Sequence, residues 1–360
     1  HDVKAVEYFI KEKFEKTGLK GKIEFIHFGL TSQDINNTSV PLLLKDFMTE
    51  VFYKEIKSLI KELEKISKKW NKTPMMARTH GQPASPTLLG KEIYVFVNRL
   101  KKELDYTQTI PFLAKFGGAT GNFNAHTAAF PKVDWHKFGN NFVEQKLKIQ
   151  RIKYSTQIDD YDNLARLFDS IKRTNNILLD FSKDIWSYIS FDYFKQKLLK
   201  NEIGSSTMPH KINPIDFENA EGNLGLGNAM FNHLSSKLPI SRLQRDLTDS
   251  TVLRNIGLPF AYSIISYKSL KKGINKLIIN KIKIKEDLNN NWILVSEAIQ
   301  TILRREGYNN PYEELKELTR INKKIGEKEI KEFVDKLKIT DKTKKEIKEI
   351  TPFNYIGQYI

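Results

Sequence analysis

The most constraining feature of this sequence is the run "VPLLLKDFMTEVFYKEIKSLIKELEKISKKW" at residues 40–70. Its apolar side chains recur three and four positions apart, which is the pattern of a helix with one apolar face. A helix of this length buries that face only against elements of similar length. In a chain with few strand signals, those elements are other long helices.

Four further segments show the same helical pattern. Because strand signals are sparse, we predict an all-α bundle of long helices. The four segments are residues 85–106, residues 164–189, the residues that follow Asn213, and residues 249–276.

Prolines and small polar residues predict where these helices begin and bend. Ser85 can cap the second helix with Pro86 as its first residue. Asn213 and Pro214 form the same pair before the fourth helix. Pro259 predicts a kink in the fifth helix.

The pattern shortens near residue 280, where Gly and Pro separate short helices. We therefore predict a small C-terminal helical domain at residues 278–360, after a central long-helix domain at residues 21–277. The sequence begins without Met and already in a helical pattern. We expect residues 1–20 to be the remnant of an N-terminal helical domain that is largely missing from this sequence.

The formal net charge of +16 is compatible with nucleic acid, a membrane surface or an anionic substrate. Lysines alternate with glutamates, and no RNA-binding or zinc-finger signature occurs, so we expect a solvated basic surface and no nucleic-acid partner. No apolar run is long enough to span a bilayer, so no membrane partner is expected. The chain has no Cys, which excludes disulfides and favours the cytoplasm.

Two polar loops contain groups that suit an anionic substrate. In "IHFGLTSQDINNTS", Thr31 and Ser32 precede a long helix, whose free N–H groups and the two hydroxyls can bind an anion; an ordinary helix cap is the alternative. In "RTHGQPASP", His80 lies between Thr79 and Gly81 with prolines nearby, so we expect an irregular backbone from which the imidazole can reach a ligand. A structural histidine is the alternative there.

The segment "GGATGNFNAH" at residues 117–126 matches neither the P-loop nor the dinucleotide-binding motif. Its glycines indicate close backbone approach to a substrate or between helices.

The loop "GSSTMPHKINP" at residues 204–214 lacks the second glycine of a nucleophile elbow. It instead brings serine hydroxyls, Lys211 and a helix N-terminus together. These groups suit the removal of a proton next to a carboxylate, because a cation and oriented N–H dipoles stabilise the dianion that develops. An exposed loop before a capped helix is the alternative.

In "SRLQRDLTDSTVLRN", Arg242, Arg245 and Arg254 lie close to Ser250 and Thr251. Arginine forks beside hydroxyls favour phosphate or carboxylate recognition, and a salt-bridged helix surface explains the same residues equally well.

Taken in order, these segments resemble the fumarase/aspartase superfamily, whose members release fumarate from substituted succinates. His210 in the "GSSTMPHKINP" loop is typical of the adenylosuccinate lyase branch. "HDVKAVEYF", "IHFGLTSQDINNT", "RTHGQPASP", "GGATGNFNAH", "YSTQIDDYD" and "RLQRDLTDSTVLRN" resemble segments of the same branch, in the same order along nearly the whole chain.

The resemblance implies a reaction and two catalytic residues. Adenylosuccinate would yield AMP and fumarate, and the succinyl-carboxamide ribotide of purine synthesis would yield its carboxamide and fumarate. Ser205 would remove the succinyl Cβ proton, with Ser206 as the alternative base, and His80 would protonate the departing nitrogen. No metal and no organic cofactor is implied.

The resemblance also implies which residues bind the substrate. Apart from residues 1 and 2, these residues lie in four segments of the chain. Thr31, Ser32, Lys211 and Asn213 would hold the succinyl carboxylates. Gln157 would contact the substrate near the scissile bond. Arg245, Ser250 and Arg254 would bind the phosphate and the remaining polar groups. His1 and Asp2 belong to a segment that lines the site, with His1 close to the phosphate or to the acid histidine.

The resemblance implies a homotetramer in which loops of three subunits build each active site.

Three other interpretations compete with the adenylosuccinate lyase assignment. The chain could be another lyase of the superfamily, which His210 and the "TSQD" and "RDLTDST" segments argue against. It could be a silent structural protein, as the lens crystallins of the superfamily are, or a helical nucleic-acid-binding protein with steeply salt-dependent binding.

Overall fold

The computed structural model describes residues 2–198, 208, 211–320 and 325–358, and these residues confirm the prediction of an all-α fold. The helices are α1 Asp2–Glu15, α2 Ser32–Phe47, α3 Tyr53–Lys69, α4 Leu89–Thr109, α5 Asn124–Ala129, α6 Trp135–Asn140, α7 Asp162–Ser190, α8 Ile215–Lys237, α9 Thr248–Leu253, α10 Gly257–Lys276, α11 Lys281–Asn289, α12 Ser296–Arg305, α13 Pro311–Arg320, α14 Glu327–Lys336 and α15 Asp341–Lys348.

Short strands form three two-stranded sheets. The hairpin β1–β2 and the pair β5–β6 are antiparallel, whereas β3 and β4 are parallel. The strands are β1 Pro74–Thr79, β2 Gln82–Leu88, β3 Leu113–Ala114, β4 Gln150–Arg151, β5 Phe194–Gln196 and β6 Leu277–Ile279.

The helix predicted at residues 40–70 begins earlier, at Ser32. Residues 48–52 form a π-helical segment between α2 and α3, so helical backbone continues to Lys69. Pro41 lies inside α2 and has no N–H to donate to the carbonyl of Asn37. The N–H of Lys115 donates to that carbonyl instead, over 3.3 Å. The loop after β3 therefore hydrogen-bonds to α2 at the carbonyl that the proline leaves without a partner inside the helix.

The predicted helix start at Ser85 and Pro86 is wrong, because both residues belong to strand β2 and the helix begins at Leu89. A proline disfavours helical backbone in the residue before it. Gln82 precedes one proline and Ser85 precedes another, so this segment favours an extended chain.

The helix predicted at residues 249–276 is divided into α9 and α10, and the predicted kink at Pro259 is wrong. The break lies before Gly257. Pro259 falls in the first turn of α10, where a missing N–H costs no helical hydrogen bond. Helix α8 begins at Ile215, one residue later than predicted, and α7 contains the whole predicted segment at residues 164–189.

The chain divides into two compact units. The first unit comprises residues 1–58, 100–180 and 219–268, and the second comprises residues 59–99, 181–218 and 269–360. Aromatic rings pack in the interior of the first unit, where the ring of Phe231 lies 5.8 Å from Phe168 and 5.1 Å from Phe260. No helix within the described residues combines the length and the apolar composition needed to cross a membrane.

The second unit contains a separate apolar cluster near the C-terminus. The C-terminal domain at residues 278–360 stays a prediction, and this cluster is the observation that favours it. Its buried members are Trp292, Val295, Ile299, Leu303, Leu315, Ile330, Val334, Leu337 and Ile347.

Candidate active site

Three of the residues that the sequence assigns to substrate binding are joined directly in the first unit. Arg245 donates from Nη1 to Gln157 Oε1 over 3.3 Å and from Nη2 to Ser250 Oγ over 2.9 Å. Ser250 lies in α9, and Gln157 lies in the loop before α7. A guanidinium that holds a hydroxyl and an amide in this way presents a fork of donors that suits phosphate or carboxylate.

Two residues that sequence reasoning missed complete this arrangement, which we call the Arg245 cluster: Arg245, Ser250, Gln157, Gln33 and Asp249. Gln33 is 1% exposed, and its Nε2 donates to Ser250 Oγ over 3.2 Å. Asp249 is 4% exposed, and its Oδ1 lies 3.6 Å from Arg245 Nε. The serine oxygen thus accepts two hydrogen bonds, and its own proton has only a long contact of 3.5 Å with Asp249. The Ser250 hydroxyl is therefore able to donate to a bound anion.

Two buried polar atoms of the Arg245 cluster, Gln33 Oε1 and Arg245 Nε, have no hydrogen-bond partner among the described residues. Buried polar groups are nearly always paired, and the exceptions concentrate at functional sites. The cluster thus retains unused hydrogen-bonding capacity.

A buried network of hydrogen bonds lies behind the Arg245 cluster. Tyr161 donates from its hydroxyl to Asp249 Oδ2 over 2.8 Å and accepts from Asn37 Nδ2 over 2.8 Å. Asn37 Oδ1 in turn accepts from the backbone N–H of Asp159 over 3.0 Å. Burial raises the pKa of the Tyr161 hydroxyl well above its usual range, and burial raises the pKa of Asp159 to about 7.

Thr31 and Ser32 lie at the start of α2, as predicted. The acid of that first turn, Asp34, accepts from the Thr31 N–H over 2.8 Å. Its Oδ1 also accepts from Lys115 Nζ over 2.8 Å and from the Gly117 N–H over 2.8 Å. The backbone of the glycine-rich segment therefore binds a carboxylate of the protein itself, and both Asp34 and Lys115 are fully buried.

Ser32 also lines a small cavity of about 280 Å³ beside α1. The other lining residues are Val3, Lys4, Glu7 and His27. His27 was not among the predicted site residues, although it stands in the quoted "IHFGLTSQD" segment. Asp2, an exposed residue, begins α1 next to this cavity, and His1 lies outside the described residues.

His80 occupies the turn of the β1–β2 hairpin in the second unit, and the irregular backbone predicted there takes the form of this turn. His80 and Gly81 have φ values of 52° and 76°, which is the geometry of a two-residue type I′ turn. Arg78 donates to the Gly81 carbonyl over 3.2 Å and lies over the Phe191 ring at 4.8 Å. The imidazole is exposed at the end of the hairpin.

The remaining predicted residues are not brought together by hydrogen bonds within the described part of the chain. Lys211 and Arg254 are exposed, and Asn213 is half-buried just before α8. Ser205, Ser206 and His210 lie outside the described residues. In residues 2–198, 208, 211–320 and 325–358, no three His, Asp or Glu side chains form a group that could hold a metal ion.

Known proteins resemble this chain along nearly all of its length. A lyase family model matches residues 1–230, and a model of the adenylosuccinate lyase C-terminal region matches residues 241–356. The chain is 56% identical to the adenylosuccinate lyase of Dictyostelium discoideum over 364 residues, which cover 99% of this chain and 78% of that protein. It is 50% identical to the adenylosuccinate lyase of Escherichia coli K12 over 361 residues, which cover 100% and 79%.

One solved structure shares the fold of this chain although its sequence is much less similar than the sequences of these relatives. The 3-carboxy-cis,cis-muconate lactonizing enzyme from Pseudomonas putida matches with a TM-score of 0.77 at 19% identity, covering 98% of this chain and 79% of that one. At that identity the likeness concerns the fold alone.

Proposed function

This chain belongs to the adenylosuccinate lyase family, and from that premise we propose that it releases fumarate from adenylosuccinate and leaves AMP. The observation that carries the proposal is the Arg245 cluster. A half-buried guanidinium, a serine hydroxyl able to donate and an unpaired glutamine oxygen together suit a phosphorylated, polar substrate.

The reaction is a β-elimination. A base removes a proton from the succinyl Cβ, the electron pair forms the Cα=Cβ bond of fumarate, and the C–N bond breaks with its electrons moving to nitrogen. An acid then protonates that nitrogen, so AMP departs as a neutral amine. We assign the base to Ser205, with Ser206 as the alternative, and the acid to His80.

The substrate carboxylates need donors that stabilise the dianion formed when the proton leaves. We assign this work to Thr31 and Ser32 at the start of α2, and to Lys211 and Asn213 before α8. Gln157 contacts the substrate near the scissile bond while it accepts from Arg245. Arg254, at the end of α9, supplies a second guanidinium for the phosphate.

The same groups suit a second substrate, the succinyl-carboxamide ribotide of purine synthesis. Both substrates carry a succinyl group on nitrogen and a ribose phosphate, so the bond that breaks and the anions that are bound have the same chemistry. We place the enzyme in the cytoplasm, in agreement with a chain that has no Cys.

We further propose a homotetramer with shared active sites. His80 is exposed at a hairpin turn, and an acid that acts on a leaving nitrogen works best away from bulk water. A second copy of the chain supplies that cover. An apolar groove of about 410 Å³ in the first unit, which includes the exposed Leu43, is a surface that another copy can bury.

The test is fumarate release from adenylosuccinate by the wild-type protein and three variants. Ser205→Ala should lose at least a hundredfold in kcat, and Ser206→Ala is its matched control. His80→Asn should lose activity to a similar degree, because Asn accepts the positive φ of the turn but cannot act as an acid.

A folded wild-type protein that releases no fumarate would overturn the substrate assignment and favour a silent scaffold. Full activity of Ser205→Ala with loss in Ser206→Ala would move the base by one residue. Near-wild-type kcat in His80→Asn would remove His80 from the mechanism.

A further inference from the structure

We propose that Tyr161 and Asn37 are positioning residues, which hold Asp249 against Arg245 and thereby direct the arginine at the nucleotide phosphate. The inference rests on the proposed function, since it takes the Arg245 cluster as the phosphate site. Tyr161, Asn37 and Asp249 would touch no substrate atom. Their role would be to set the direction of the guanidinium.

Three side chains contact the guanidinium of Arg245. Its two terminal nitrogens donate to Gln157 and Ser250, both of which are half-buried. The Asp249 carboxylate, by contrast, is 4% exposed and lies 3.6 Å from Arg245 Nε. An opposite charge this close and this well shielded from water attracts the guanidinium strongly, although it makes no hydrogen bond to Nε.

Asp249 is held by Tyr161, which is held in turn by Asn37. The hydroxyl of Tyr161 accepts from Asn37 Nδ2, so its single proton points to Asp249 Oδ2. Asn37 cannot turn its amide over, because Asn37 Oδ1 already accepts from the Asp159 N–H. The hydrogen bonds of this network therefore have only one possible direction, from a backbone N–H to the carboxylate beside Arg245.

The backbone of Tyr161 is strained. It has a φ of 60°, an unusual conformation for a bulky residue, and its ring is 1% exposed. Its N–H donates to Asp159 Oδ1 over 3.0 Å. Strained residues persist where surrounding contacts over-determine them, and they concentrate at functional sites. Tyr161 directly precedes α7. In this strained conformation its hydroxyl contacts Asp249.

The test uses Tyr161→Phe in the full-length protein, which keeps the ring and removes the hydroxyl. Arg245 holds the phosphate equally in substrate and transition state, so loss of its orientation weakens binding without slowing chemistry. We expect KM for adenylosuccinate to rise about tenfold, with kcat within about twofold of wild type.

Product inhibition separates a positioning role from a general structural one. The inhibition constant of AMP should rise by the same factor as KM, whereas those of fumarate and of adenosine, which lack the phosphate, should stay at their wild-type values. Tyr267→Phe is the matched control. Tyr267 is a fully buried tyrosine of the same unit, its hydroxyl donates to Asn175 Oδ1 over 2.7 Å, and no hydrogen bond within the described residues connects it to Arg245.

The outcomes distinguish this inference from the proposed function. If wild type and Tyr267→Phe release fumarate but Tyr161→Phe keeps wild-type KM and AMP inhibition, the positioning role is wrong and the function stands. An equal rise in the inhibition constants of AMP, fumarate and adenosine would also overturn it. If Tyr161→Phe does not fold, Asn37→Ala replaces it, because it frees the tyrosine hydroxyl to turn away from Asp249; unchanged AMP inhibition in that variant would overturn the inference.

Discussion

Asp159 is a buried acidic residue of the first unit. Its side chain is 5% exposed and accepts from the Tyr161 N–H, which favours the ionised form, but burial is the larger influence and raises its pKa to about 7. Folding therefore changes the proton affinity of this group, and the stability of the fold must vary with pH.

Asp159→Asn should reveal this dependence. Below about pH 4 the acid is protonated in both states; between about pH 4 and 7 only the folded state keeps the proton, so wild-type stability falls as pH rises. Because Asn is never ionised, the variant should gain stability relative to wild type across that window, by at most about 4 kcal/mol.

Urea midpoints at several pH values provide the measurement. Asp160→Asn, a change at the exposed neighbour, should keep most of the wild-type dependence, because burial of Asp159 and not the neighbouring charge is the main cause. A stability difference between Asp159→Asn and wild type that stays constant from pH 4 to 8 would contradict the assignment.

Sequence reasoning found part of the site at the residue scale. Resemblance assigned Gln157, Arg245 and Ser250 together, and they are hydrogen-bonded in the first unit. Gln33 and Tyr161 were missed, since their partners lie far away along the chain and burial cannot be read from a polar residue type. The spacing of Gln33 and Asn37, four apart on one helix, was the available signal that both face the same side.

At the scale of elements, a buried ion pair joins α2 to the glycine-rich segment. Lys115 Nζ contacts Asp34 Oδ1 and also donates to the Gly118 carbonyl over 2.5 Å. Burial lowers the pKa of Lys115 although Asp34 opposes the change. Asp34 has more hydrogen-bond partners than Lys115, because its carboxylate also accepts from three backbone N–H groups. These are the N–H groups of Thr31, Gly117 and Gly118.

Asp34→Ala should therefore destabilise the fold more than Lys115→Met. The first change leaves a buried cation with a single carbonyl partner and should cost about 3–5 kcal/mol, whereas the second leaves a carboxylate that still accepts three N–H groups. Free energies of unfolding measure the difference, and Lys54→Met, which breaks an exposed pair with Glu50, should change little. A larger loss in Lys115→Met would contradict this account.

Helix positions were more predictable than helix ends. The apolar repeat located α7 and most of α2 and α3, because periodicity persists over many residues. Ser85 and Pro86 were misassigned since a Ser-Pro pair suits both a helix start and an extended chain. The pairing of β2 with β1 decided between these two conformations.

At the scale of the whole molecule, the proposed sharing of sites between subunits is testable by mixing inactive variants. Ser205→Ala and His80→Asn should each be inactive alone. If their residues reach a common site from different subunits, some sites in a mixed tetramer contain both wild-type residues, and about a quarter of wild-type activity should return.

The mixture is prepared by dissociation and reassembly, and fumarate release is followed. Self-mixed samples of each variant are the controls. Failure to regain activity in a mixture shown to contain hybrid tetramers would place both residues in one subunit's site. Sequence periodicity predicted the helical class of the molecule, but the arrangement of its subunits came only from resemblance, because apolar faces do not identify the surface that covers them.

Pro41 has a consequence for the order in which hydrogen bonds form while the protein is being synthesised. A proline inside α2 leaves one carbonyl of that helix to be satisfied by the amide of Lys115, a residue much later in the chain. During synthesis the first segment leaves the ribosome before its partner exists. In the first unit, the Asn37 carbonyl therefore gains this hydrogen-bond partner only after residue 115 has been added.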